Sequence, residues 1–315
     1  MGMIIGKIIG VFIIVFVGLG ANKAGLLPVS ASKYLSNIVI KLAAPCVVIS
    51  AMSEQSLDSG GFVMIIVVLC ISVAQYAFSV PVGILTARLM GVPEDERGIY
   101  KNFILFTNNG FMGFPLSLAM FGHQGMFYMV IANGVLNVAL FTLGVANLRR
   151  DEKEDLPLGR KLMRAAKDIL DVPVIAMLVG VALLALQIRL PIELKEVLDS
   201  VGSMMAPLSM MVIGLQLTAS KPKEVIANHR LIIVSVLRLL ILPGIALLVM
   251  LLLNVDPLVT KVLTLNMMLP CGAVPVAMAE AYGRDSKLAA EGTFLTTLFS
   301  MITIPACGIL LSALV

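Results

Sequence analysis

Ten apolar runs of membrane-spanning length follow one another along the chain, near 4 to 20, 34 to 53, 61 to 89, 102 to 121, 126 to 148, 172 to 190, 197 to 219, 231 to 253, 258 to 280 and 289 to 312. A helix of that length crosses a hydrocarbon core of ~30 Å while pairing its own backbone groups, which lipid cannot do for it. With 59% hydrophobic and 13% charged residues, the chain has too little polar surface to clothe a water-soluble core. It reads as an all-α polytopic membrane protein whose first partner is the lipid bilayer. The first run has the length of a signal-peptide core. However, Gly18, Gly20 and Ala21 lead into Asn22-Lys23-Ala24-Gly25 with no soluble domain to export, so it counts as span 1.

The charges set the expected orientation. Of the 23 basic residues, an outside N-terminus leaves Lys7, Arg189, Lys195 and Lys261 on the outer side and Lys41 and Arg238 within spans. The other seventeen face the cytoplasm, a strong positive-inside bias. Both termini are therefore expected to be extracytoplasmic, in a plasma (inner) membrane. The net charge of +4 resides in loops and implies no nucleic-acid partner. Cys46, Cys70, Cys271 and Cys307 all fall within spans without metal-ligand spacing and read as small packing residues, with Cys271 set apart by its motif. No metal and no cofactor is expected.

The prolines reveal an internal repeat. Pro28, Pro45, Pro81 and Pro115 are matched by Pro191, Pro207, Pro243 and Pro275 at offsets of 163, 162, 162 and 160 residues. Ala44-Pro45 also pairs with Ala206-Pro207, and Met120-Phe121-Gly122 with Ala281-Tyr282-Gly283 one residue out of step. Five spans per half is an odd number, so the second half must enter the membrane from the opposite side, as in the inverted repeats of alternating-access transporters. The expected organisation is a first five-helix repeat over 1–148, a cytoplasmic linker over 149–170 and a second repeat over 171–315. The linker's mixed charge suits either a short surface helix or a solvated connection.

Spans 4 and 9 each carry a proline-centred interruption near mid-membrane, Asn108-Asn109-Gly110-Phe111-Met112-Gly113-Phe114-Pro115 and Pro270-Cys271-Gly272-Ala273-Val274-Pro275. Such breaks survive only inside protein or around a polar cavity, and a matched pair of them points to a transporter binding site. Proline in the first turn of a helix sacrifices no hydrogen bond, so Pro115 and Pro275 are suited to start the second halves of these spans. The freed amides then face mid-membrane, where two positive helix ends favour an anion. Asn108 and Asn109 add neutral donors, and Gly110, Gly113 and Gly272 allow close backbone approach. By the proline offset the asparagines correspond to Met268 and Leu269, so span 4 supplies donors and span 9 apolar walls, and the ligand should be small or amphipathic.

Other polar residues in the spans leave alternatives open. Asn133 and Asn137 in span 5, and Thr293 and Thr297 in span 10, form matching stripes that either line the cavity or bond helices together. Arg238, deep in span 8, suits carboxylate pairing, the place of a coupling cation, or a structural ion pair. Lys41 and Glu280 are near enough to the interface to snorkel. His123 reads as a surface histidine in the link between spans 4 and 5.

The two motifs, with Phe121-Gly122 after the first and Ala279-Glu280-Ala281-Tyr282-Gly283 after the second, resemble those of helices 4 and 9 in the auxin efflux carrier family. Ala206-Pro207-Leu208 with Ile213-Gly214-Leu215-Gln216-Leu217 is similar to its helix 7. The resemblance covers essentially the whole chain. It implies ten transmembrane helices as a 5+5 inverted repeat with broken, crossing helices 4 and 9, a scaffold of helices 1, 2, 6 and 7, and a moving domain of helices 3 to 5 and 8 to 10. It also implies a substrate contact for Asn108, and substrates such as malate, malonate or auxin; the short central loop resembles prokaryotic members.

The expected function is therefore a secondary transporter of small organic carboxylates, binding at Asn108, Asn109, Gly110, Pro115, Pro270, Cys271, Gly272 and Pro275. A homodimer through the scaffold helices is a further expectation. The rival is a sodium-coupled organic-anion symporter of the bile-acid type, for which the span 9 motif offers mainly backbone carbonyls. An intramembrane enzyme is disfavoured, since the spans hold no spaced His/Glu set, nucleophile elbow or paired aspartates. A passive channel would need no second half-helix gate.

Overall fold

A computed structural model describes residues 2–55, 59–149, 172–218 and 225–314. Apart from Arg149, the segment read as a linker lies outside the described residues. Among those described, regular structure is helical throughout: α1 (Gly2–Lys23), α2 (Ala31–Ser53), α3 (Ser59–Leu89), α4 (Arg97–Leu105), α5 (Asn109–Leu148), α6 (Val172–Ala185), α7 (Ile192–Thr218), α8 (His229–Leu252), α9 (Pro257–Met268), α10 (Val274–Ala281) and α11 (Ser286–Leu314). Six of them, α2, α3, α5, α7, α8 and α11, are long and apolar enough to cross a membrane. Phe62, Leu85, Leu248 and Ile302 on these helices, and Phe16 on α1, are exposed, which suits a lipid solvent.

Three of the four π-helical turns among the described residues lead into prolines, the turn over Leu140–Gly144 being the exception. A proline in a helix lacks an N–H and clashes with the carbonyl four residues earlier. One wider, π-helical turn relieves both problems, and such turns precede Pro45 (Val39–Ala43), Pro115 (Asn109–Gly113) and Pro243 (Leu237–Ile241). α5 bends sharply at Gly122, whose φ of 67° and ψ of −162° lie where a side chain would be strained. The bend separates residues 109–121 from 123–148, the end of span 4 from span 5. α9 begins with Asp256, whose carboxylate accepts from the amides of Leu258 (2.9 Å) and Val259 (3.0 Å), followed by Pro257 in the first turn.

α1 and α7 pack backbone to backbone. A Cβ on Gly18 would collide with the Met211 carbonyl oxygen, and one on Gly214 with the Val15 carbonyl oxygen. Small residues on both helices permit this approach, the usual route to dispersion contact in lipid. Beside them, Ser50 donates to Asp199 (2.5 Å), and Lys195 bridges Asp199 (2.8 Å) and Glu54 (2.7 Å), tying α2 to α7.

Candidate functional site

Both expected breaks are present, and they meet. α4 ends at Leu105, and Phe106 is extended (φ −109°, ψ 123°). α9 ends at Met268, and Leu269 is extended (φ −65°, ψ 145°) because the ring of Pro270 forbids it a helical conformation. The two extended segments pair antiparallel, Thr107 opposite Cys271, and the Asn108 amide donates to the Pro270 carbonyl at 2.9 Å. Gly272 makes room for this pairing, since a Cβ there would lie 3.2 Å from the Thr107 carbonyl oxygen. From behind, α11 holds the second break: the Thr296 hydroxyl accepts from the Cys271 amide (3.2 Å), and the Thr293 hydroxyl reaches the Gly272 carbonyl (3.4 Å).

Helix restarts after the two breaks differ. α10 begins at Val274 with Pro275 in its first turn, as its sequence predicts. α5 begins at Asn109, six residues ahead of Pro115, because the π-helical turn accommodates the proline without ending the helix. The Asn108 side chain caps this helix by accepting from the Phe111 amide (3.3 Å), and its carbonyl accepts from Met112 and Gly113 (both 3.1 Å). The amides of Asn109 and Gly110 then open the helix with no acceptor within it.

A cavity of about 130 Å³ lies against both restarts. Asn108, Asn109, Gly110, Gly272 and Pro275 line it, together with Asn133 and Asn137 from the second part of α5. Phe106, Thr107, Phe111 and Phe114 add walls, α2 contributes Val39, Ile40 and Ala44, and α6 contributes Pro173. Asn109 is 1% exposed with neither amide atom bonded, and the Thr107 hydroxyl is equally without a partner among the described residues. Buried polar atoms are normally paired, so three of them beside one cavity mark a place built for a polar guest.

The other sequence candidates lie around this cavity without lining it. Pro270 and Cys271 form the paired strand behind it, and Pro115 lies deeper in α5. Thr293 bonds the Gly272 carbonyl of the second break (3.4 Å) and the Ala289 carbonyl of its own helix (3.0 Å), whereas Thr297 bonds only within α11, to the Thr293 carbonyl at 2.7 Å. Arg238 is buried behind α4. Lys41 and Glu280 are exposed, and His123 faces Glu54 at 3.5 Å. The sequence reading passed over Thr107, which immediately precedes the asparagines, and Thr296, which lies between the two threonines chosen for their spacing.

A larger and more open cavity, about 670 Å³, lies where α3, α4 and the end of α5 meet, with Arg88, Arg97, Lys101 and Arg149 around it. Arg284 there is spent on the carbonyls of Leu148 (2.7 Å) and Arg149 (3.2 Å), and neither break borders the cavity. Glu94 and Asp95 also line it, so it is a cavity of mixed charge, whereas the smaller cavity carries the unpaired donors.

Interrupted apolar helices joined at their breaks around a small cavity that carries unpaired polar atoms define a membrane transporter. Residues 3–307 match the family described as membrane transport protein, and the chain belongs to that family, which includes the auxin efflux carriers. It is 25% identical over 307 residues to an "Uncharacterized transporter" of Methanocaldococcus jannaschii, covering 95% of this chain and 96% of the relative. A second "Uncharacterized transporter", from Methanothermobacter thermautotrophicus, is 23% identical over 304 residues, with 96% and 97% covered.

Proposed function

We propose that the chain is a secondary active transporter of small organic carboxylate anions, bound where the two breaks meet and moved by alternating access. The carrying observation is the juxtaposition of two helix restarts, at Asn109 and Val274, with the unpaired polar atoms of Asn109 and Thr107 at one cavity. Helix N-termini and neutral donors hold a carboxylate without a full positive charge in the membrane. The volume favours an acid of a few carbons, being well below the ~300–1,000 Å³ of sites for drug-sized ligands. Malonate and malate fit that description better than a steroid or an indole.

The wider architecture is part of the same proposal: ten spans as a 5+5 inverted repeat, helices 4 and 9 crossing at their breaks, and both termini outside a plasma membrane. Antiparallel pairing of Thr107 with Cys271 supports it, because a two-fold axis in the membrane plane sets equivalent segments antiparallel. Irregular turns ahead of Pro45 and of Pro207, the latter at Met204, agree with it. A homodimer would use the scaffold helices.

Proteoliposomes test the activity. Preloaded with unlabelled malonate, they should take up labelled malonate by saturable counterflow, and an excess of a large aromatic acid should compete weakly. Uptake that rises linearly with concentration and shows no counterflow would indicate a channel and sink the proposal.

A further inference from the structure

Arg238 is the one arginine among the largest fully buried side chains, at 1% exposure in the π-helical turn of α8. Its Nη1 donates to the Ile104 carbonyl oxygen at 2.8 Å, while Nε and Nη2 have no partner among the described residues. No described carboxylate is its electrostatic neighbour; the groups that feel its charge are Tyr76 and Cys271. A full charge at membrane depth is costly and is usually kept for function. The site it occupies explains the expense.

The last backbone bond of α4 runs from the Phe106 amide to the Asn102 carbonyl (3.1 Å), so the Ile104 carbonyl lies beyond it without a helical partner. Arg238 therefore caps the negative end of the first broken helix while its charge reaches Cys271 in the second break. α9 also ends at this junction, so two negative helix ends stand close to where an anion would bind. In carriers built from broken helices, unwound carbonyls and half-helix C-termini of this kind hold the coupling cation. Here one such carbonyl is already bonded to a guanidinium.

We infer that Arg238 is a tethered counter-cation for the joined breaks: it takes the role a bound alkali cation plays in a cation-coupled carrier, so that carboxylate binding requires no sodium. This rests on the carboxylate site proposed above. Its unneutralised charge offsets the negative ends of α4 and α9, and the bound anion completes the balance.

Malonate binding to the purified full-length protein, in sodium chloride and in N-methylglucamine chloride, tests the inference. Wild type should bind equally in both. R238A should lose about tenfold or more in affinity without sodium, and millimolar guanidinium should restore it where N-methylglucamine does not. R238K keeps the charge and should remain sodium-independent, which preserves the test if R238A does not fold. A sodium requirement in wild type or R238K, undiminished binding in R238A, or loss that guanidinium fails to restore would each overturn the inference. If wild type binds no malonate in either buffer, the carboxylate site fails on its own. The unfolding temperature of R238A then decides the role of Arg238, since guanidinium should raise it if the tethered cation holds the breaks, and no rise would refute that.

Discussion

The backbone amide of Asn108 donates to the carbonyl of Pro270 across 2.9 Å, joining two segments 162 residues apart in sequence at the point where both their helices are interrupted. Each break thereby satisfies part of the polar backbone that the other exposes. The unpaired side-chain atoms of Thr107 and Asn109 sit beside this junction at one small cavity.

Gly272 governs that junction, with room for a Cβ only 3.2 Å from the Thr107 carbonyl oxygen. Gly272→Val should force the segments apart, lowering stability by ~1–3 kcal/mol and reducing carboxylate affinity. Thermal unfolding and calorimetric titration of the same preparation would check both. Wild-type affinity would show that the pairing does not shape the site.

Pro115 acts at a distance from the cavity. Pro115→Ala restores an N–H and removes the reason for the π-helical turn, and relaxation to a regular helix would rotate the preceding residues by ~100°, one residue's share of a turn. Affinity should fall while unfolding temperature holds or rises. A variant that binds as wild type would mean the wide turn persists without the proline.

The α1 and α7 contact predicts a purely structural defect. Gly214→Leu meets the Val15 carbonyl oxygen and should cost ~1–3 kcal/mol or prevent folding. Gly244→Leu, where a Cβ meets nothing within 4 Å, is the matched control. Equal unfolding temperatures would contradict the close packing.

Orientation is open to chemical labelling. With the four native cysteines replaced, Glu94→Cys should react with an impermeant thiol reagent only from the cytoplasmic side, and Arg189→Cys only from outside. The reverse pattern would overturn the charge-based topology.

Much of this was legible in the chain. Apolar length gave the all-helical class and, among the described residues, six helices of spanning length, and the two proline motifs gave the breaks, because proline and lipid act on backbone hydrogen bonds wherever the rest of the fold lies. The helix restart at Asn109 was not legible: a proline marks a disturbance of the ladder, but only packing decides whether the helix stops or widens by one residue. Periodicity put Asn133 and Asn137 on one face and Thr293 and Thr297 on another, yet could not say which pair meets the cavity. That depended on α6 closing over the α5 face through Pro173 while α11 met the second break. Thr107 was missed for the same reason, since nothing local separates a threonine that faces a cavity from one that bonds its own helix.

Asn109 offers the most direct test of a carboxylate at the joined breaks. Asn109→Leu keeps the side chain's size and removes two unbonded buried polar atoms, a change that should leave stability equal or higher because such atoms cost ~1–3 kcal/mol unpaired. Calorimetric titration of purified wild type with malonate should show binding that falls by about tenfold or more, ~1.4 kcal/mol, in the variant while its unfolding temperature does not fall. Equal affinity in the two proteins would place the anion elsewhere and contradict the account.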